Sequence, residues 1–227
     1  MLFALGHPLA LLGLVLGFLV GVVAVGTVQA RATGAGRRDA HHRGAGVLAR
    51  YIDPFGAIAA ALGGVGWAAP IEIGRFRRGP ARRRLIRTLL LAPLTHLGLA
   101  VVGCVALAGL GALAPLRFVD TRLALHGMYA PPLLQLTALG FVVVNLTMAL
   151  LHVIPLPPMA AGRILFLLAP PTPAWQRAAY QLEDNNWGIG ILIGLSLPLF
   201  SGGALSASLT AALSGPLLAL AAGFGHG

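Results

Sequence analysis

Apolar residues in this chain run on rather than alternate. Met1–Ala30, Thr88–Leu116, Leu123–Gly162 and Gly188–Gly227 contain no charged side chain. A membrane-spanning helix needs about 20 apolar residues, so the pattern predicts an all-α polytopic membrane protein with about 4–6 transmembrane or re-entrant helices. Residues 1–30 read as the first transmembrane helix rather than a signal peptide, because a basic start is missing and the apolar run is too long. Residues 31–50 read as a Gly- and Arg-rich cytoplasmic loop, and 52–73 as a re-entrant stretch (52–65) followed by a short cytoplasmic-side strand (66–73). The second span is expected over 88–114 and the third over 132–168 with a proline break, leaving apolar C-terminal helices over 187–223. All of these belong to one integral membrane domain.

Composition sharpens this picture. The 227 residues are 57% hydrophobic and 10% charged, against roughly 25% charged in a soluble domain. Every basic residue is Arg, which with the abundant Ala and Gly points to a GC-rich, bacterial source. The net charge of +10 invites a nucleic-acid partner, but the Arg residues cluster at 31–50 and 75–87, each beside an apolar run. Positive-inside bias accounts for that placement, so no nucleic acid is expected, and the protein is placed as a multi-pass protein of the bacterial cytoplasmic (inner) membrane. Arg75, Arg77, Arg78, Arg82, Arg83 and Arg84 are expected to meet anionic lipid headgroups. Cys104 stands alone, which excludes an intramolecular disulfide.

Candidate chemistry gathers at Asn145–Leu168, NLTMALLHVIPLPPMAAGRILFLL. Pro155, Pro157 and Pro158 remove backbone donors at membrane depth, where a freed carbonyl is costly unless protein or a wet cavity satisfies it. His96 and His152 are ionisable residues deep in apolar runs and are functional candidates for that reason. The simpler reading is that their imidazoles satisfy backbone groups freed near the break. His41 and His42 read as solvated loop residues, and Trp67, Trp175 and Trp187 as interfacial anchors. Arg163 is expected to snorkel, with positioning of the break as the alternative, and Glu72 to guard a strand edge.

Four short segments together resemble the site-2 protease family of intramembrane zinc metalloproteases, in its small bacterial members. Ile52-Asp53-Pro54-Phe55-Gly56 is similar to that family's IDPxG, and Gly66-Trp67-Ala68-Ala69-Pro70 before Arg75-Phe76-Arg77 is similar to its GWAKPVPV…RRF. Ala92-Pro93-Leu94-Thr95-His96 sits where the family writes GPxxN, and Asn145 through Arg163 follows its N-x(6)-N-L-L-P-x-P-P-L-D-G-x-R. The resemblance implies a three-helix core and a zinc site built from HExxH and the LDG aspartate.

That donor set is missing. The HExxH position corresponds to Gly21-Val22-Val23-Ala24-Val25, and Ala160 stands in the place of the aspartate. No other register restores the motif, because residues 8–40 contain no His. Gly21, Val22, Val25 and Ala160 can neither coordinate zinc nor accept a proton, so no catalytic residue, no metal ligand and no zinc cofactor are expected. What the resemblance still implies is a groove for a transmembrane protein partner, bounded by His96, Asn145, His152, Pro155, Pro157, Pro158, Arg163, Trp67, Pro70, Ile71 and Glu72. The resulting expectation is a catalytically inactive homologue that binds its partner without cleaving it. Two alternatives stay open: an active intramembrane zinc protease with a different metal site, and a transporter or channel that uses the broken helix.

Overall fold

The computed structural model describes residues 1–34, 50–71, 79–112, 116, 119–125, 127, 133–197 and 205–223. Glu72, Arg75, Arg77, Arg78, His41, His42 and most of the 31–50 loop lie outside the described residues. After a 3-10 turn at Leu2–Gly6 come α1 (Pro8–Thr33), α2 (Pro54–Gly63), α3 (Gly79–Gly109), α4 (Thr121–Leu125) and α5 (Leu133–Leu151). Then follow α6 (Ala160–Leu168), α7 (Pro173–Ala179) running into a π turn at Tyr180–Asp184, α8 (Trp187–Ser196) and α9 (Leu205–Gly223).

Three helices among the described residues are long and apolar enough to cross a membrane: Pro8–Thr33, Gly79–Gly109 and Leu134–Leu151. These three candidate spans among the described residues mark the chain as a membrane protein. α2 and α8, of 10 residues each, reach only about half the ~30 Å hydrocarbon thickness.

Hydrogen bonds at both ends fix the directions of the spans. Arg84 Nη2 donates to Ala32 O (2.9 Å) and Gln29 Nε2 to Thr88 O (3.1 Å), joining the end of α1 to the start of α3. Thr137 Oγ1 donates to Leu9 O (3.1 Å), joining the starts of α1 and α5. So α1 and α5 run parallel, with α3 antiparallel to both. Gly13, Gly17 and Gly21 lie four residues apart on one face of α1, and the first two abut Thr137 and Val144 of α5. Small residues at this spacing let two backbones approach closely within a membrane. On α3, Leu90, Leu94, Val101 and Val105 point outward, as lipid-facing side chains should.

Several expected boundaries shift. The helix that carries the second span begins at Gly79, ahead of the apolar run at residue 88, because Pro80 suits a first helical turn and Arg is a good helix former. Arg82, Arg83 and Arg84 therefore sit on the first turns of α3 instead of in a separate collar. The helix stops at Gly109, shortly before Gly111, whose φ of +65° ends it. The third span is two helices, with the break over residues 152–159 and a cis Pro157–Pro158 peptide between them.

Residues 66–71 do not form the strand expected over 66–73. They are mostly extended chain tied to residues 51–52 by one antiparallel bridge, Ile52↔Ala68, and by Ala69 N donating to Tyr51 O (2.9 Å). Pro70 has no N–H with which to continue a ladder. Ile73, with Glu72, falls outside the described residues.

The local chemistry of the 52–56 segment is plain in the structure. Asp53 caps α2, its Oδ1 accepting from Gly56 N (2.7 Å), and Pro54 takes the first helical position. Gly56 lies against the backbone of Trp67, so α2 and the extended segment form one packed unit.

Candidate functional site

α1, the extended segment, three further helices and the break converge here. From α1 come Gly21, Val25 and Gln29. The extended segment brings Ala68–Ile71, α3 brings Leu89, Ala92 and His96, and α5 brings Asn145. The break and α6 add His152, Pro158, Ala160 and Arg163.

At the deeper end, Asn145 is fully buried and holds three partners. Its Nδ2 donates to Gly17 O (3.2 Å) and to Phe141 O (3.0 Å), and its Oδ1 lies 3.0 Å from His96 Nδ1. His96 is also fully buried, and its other ring nitrogen, Nε2, has no hydrogen-bond partner. These two side chains fill the space beside Gly21: a methyl group added there would lie 2.7 Å from His96 Cε1 and 2.8 Å from Asn145 Oδ1. The glycine on α1 thus leaves room for the direct contact between His96 of α3 and Asn145 of α5.

His152 stands next to His96, the ring centroids 5.8 Å apart and the planes at 26°. It follows the last turn of α5 and caps the next helix from the side, its Nδ1 accepting from Ala160 N (3.3 Å). Its carbonyl accepts from Ala161 N (3.0 Å). One residue therefore satisfies two N–H groups at the start of α6, donors that otherwise have no partner inside the helix. The imidazole of His152 meets freed backbone as expected, while that of His96 pairs with an amide instead.

A cavity of about 20 Å³ opens beside His152, which lines it together with Val25, Gln29, Ala68–Ile71, Leu89, Ala92, Pro158, Ala160 and Arg163. Arg163 closes its outer edge. It is 8% exposed, its Nη2 donates to Ile71 O (2.6 Å), and its Nε lies 3.6 Å from Glu183 Oε1. Arg163 does not snorkel; it ties α6, the extended segment and the π turn together.

Of the sequence candidates, Val25, Ala160, His152, Pro158, Arg163, Pro70 and Ile71 share this one cavity. Gly21, His96 and Asn145 form the adjoining polar cluster. Val22 packs into the apolar core, and Trp67 does too at 1% exposure, so it is no interfacial anchor. Pro155 is exposed and Pro157 buried, and neither lines the cavity. Gln29 and Glu183 were not singled out from sequence. A glutamine inside an apolar run was the available signal for the first; nothing local marks Glu183 as the partner of Arg163.

The zinc implied by the family resemblance does not fit these residues. Among the described residues no three of His, Cys, Asp and Glu stand together as a metal site. Two imidazoles fall short of the three protein ligands that a catalytic zinc needs, and the cavity walls at Val25 and Ala160 offer only carbon.

Comparison of the chain with protein-family models, with curated proteins and with solved structures finds no match.

Proposed function

We propose that this protein is a site-2-protease-like membrane protein without catalytic activity, resident in a bacterial cytoplasmic membrane, which binds a transmembrane protein partner and leaves it intact. The observation that carries this reading is the occupation of the ligand space. His96 and Asn145 fill the volume beside Gly21, where the family's first zinc ligand would project. Val25 and Ala160, at the positions of two more ligands, line the same cavity with apolar surface. Carbon walls at Val25 and Ala160 leave no ligands to hold the metal that would activate a water for attack on a peptide bond.

The binding surface that remains is the outer end of the segment 66–71, where Ala69–Ile71 emerge from the buried stretch Gly66–Ala68. Main-chain groups on such a segment can pair with an unwound stretch of a partner helix, which gives affinity without side-chain chemistry. Arg82, Arg83 and Arg84, at the start of α3, complete the reading by meeting anionic headgroups at the cytoplasmic face.

Site-specific photocrosslinking tests the proposal in native membranes. A crosslinker placed at Ala69 or Ile71 is expected to trap an intact transmembrane protein. Adducts consisting of cleaved fragments, or none at all from a protein shown to be folded, would contradict it.

A further inference from the structure

A second pocket lies between the first half of α1 and α2, and its walls follow from side-chain size. Leu11, Val15 and Phe18 lie along one face of α1, and Ala57, Ala60 and Ala61 along one face of α2, because residues three and four apart are neighbours on a helix. Three methyl groups on the α2 side leave a space of about 190 Å³ unfilled. Met1, Leu2 and Leu5, from the turn before α1, complete the lining, and no lining residue has a polar side chain.

The pocket has a floor and a mouth. Phe18 and Ala60 are buried, at 5% and 1% exposure, whereas Leu2 and Leu5 are exposed. From Leu11 to Phe18 the wall runs about 10 Å along the axis of α1, at about 1.5 Å per residue. The neighbouring Leu12 and Leu16 of the same span are exposed as well, so the medium at the mouth is the hydrocarbon of the bilayer.

These dimensions choose the occupant. A helix is about 10–12 Å across with its side chains and is too broad to enter. Water finds no hydrogen-bonding side chain there, and apolar cavities of about 150 Å³ stay dry while admitting a benzene ring. A polar cofactor would need the few placed polar groups that orient such ligands, and no lining side chain supplies one. A hydrocarbon tail fits on length and on chemistry.

We propose that this pocket is a lipid site that takes one acyl chain of a membrane phospholipid, entering past Leu2 and Leu5 and ending against Phe18. The site does not rest on the partner-binding reading above.

The test uses the full chain in nanodiscs of phosphatidylcholine that carries a photoactivatable diazirine midway along one acyl chain, with adducts located by peptide mass spectrometry. Labelling of Leu11, Val15 and Ala57 is expected to exceed, several-fold per residue, that of Leu94, Val101 and Val105, which face outward on α3. Ala57→Leu fills the pocket, so labelling of Leu11 and Val15 is expected to fall to the α3 level while the α3 adducts persist. If that variant does not fold, Ala61→Leu makes the same test. Equal labelling of pocket and α3, or pocket labelling that survives the filled variant, would overturn the site. The same readout in membranes of cells fed a diazirine fatty acid separates lipid from protein. Pocket adducts there support the acyl chain; their loss, with α3 adducts retained, would mean that a protein side chain holds the pocket and would overturn the proposal.

Discussion

Gly21 is a position where one added methyl group reads out the whole site. That carbon would meet His96 and Asn145 at 2.7 and 2.8 Å, so Gly21→Ala is expected to cost about 1–3 kcal/mol of stability, the usual price of overpacking a filled interior. Gly98→Ala, on the same α3 helix as His96 but with no atom within 4 Å, is expected to stay within about 0.5 kcal/mol of the parent. Unfolding of both variants in the same detergent checks the contrast. Asn145→Leu removes the acceptor for His96 Nδ1 and leaves it unpaired, at a cost of about 1–3 kcal/mol. At the start of α4, the Arg122 side chain beside Asp120 holds that carboxyl below its ordinary value of 3.8. Because the folded pKa is the lower one, the stabilisation is present above the unfolded value and lost as pH falls through the folded value. Asp120→Asn should therefore alter only the acid limb of a stability–pH curve, and slightly, since both side chains are solvent-exposed. At this scale the sequence named His96 and His152 because an ionisable group deep in an apolar run is conspicuous. Their pairing was not legible. His96 and Asn145 are 49 residues apart, and no local periodicity links positions on different helices.

At the scale of elements, the spans were legible because hydrocarbon demands long uncharged runs, and their ends were not. Arg82–Arg87 could continue a helix as readily as flank one, and propensity favoured continuing it. The short strand failed at Pro70, whose missing donor allows a bridge but no ladder. The α1–α5 seam supplies a test of how the helices are held. Gly17→Leu places a branched side chain against Val144 and Phe141, and is expected to separate α1 from α5. Disulfide trapping between Cys pairs introduced at Leu9 and Thr137 should fall in that variant, and unchanged trapping would show that the seam is not tight. Arg163 is the tie between α6 and the extended segment. Arg163→Met is expected to speed hydrogen exchange in residues 66–71 while leaving exchange in α1 unaltered, whereas uniform acceleration would mean global loosening instead.

At the scale of the whole molecule, α1, the segment 68–71, α3 and the break with α6 bring residues scattered from Val25 to Arg163 around one small cavity. The cavity was not legible in the sequence, because it depends on how α1, α3 and α6 face one another. The arrangement also makes a compound prediction. Gly21→His, Val22→Glu, Val25→His and Ala160→Asp together rebuild the donor set that the family resemblance implies. Because His96 occupies the space beside residue 21, this quadruple variant is expected to take up zinc only when His96→Asn is added. Uptake without that fifth change would show that His96 does not block the position. The most direct measurement on the account as a whole is the zinc content of the unaltered protein, purified from membranes without chelators. The account predicts far less than one zinc per chain, with no change in stability on adding a chelator. One tightly held zinc per chain, lost to chelator together with stability, would contradict it.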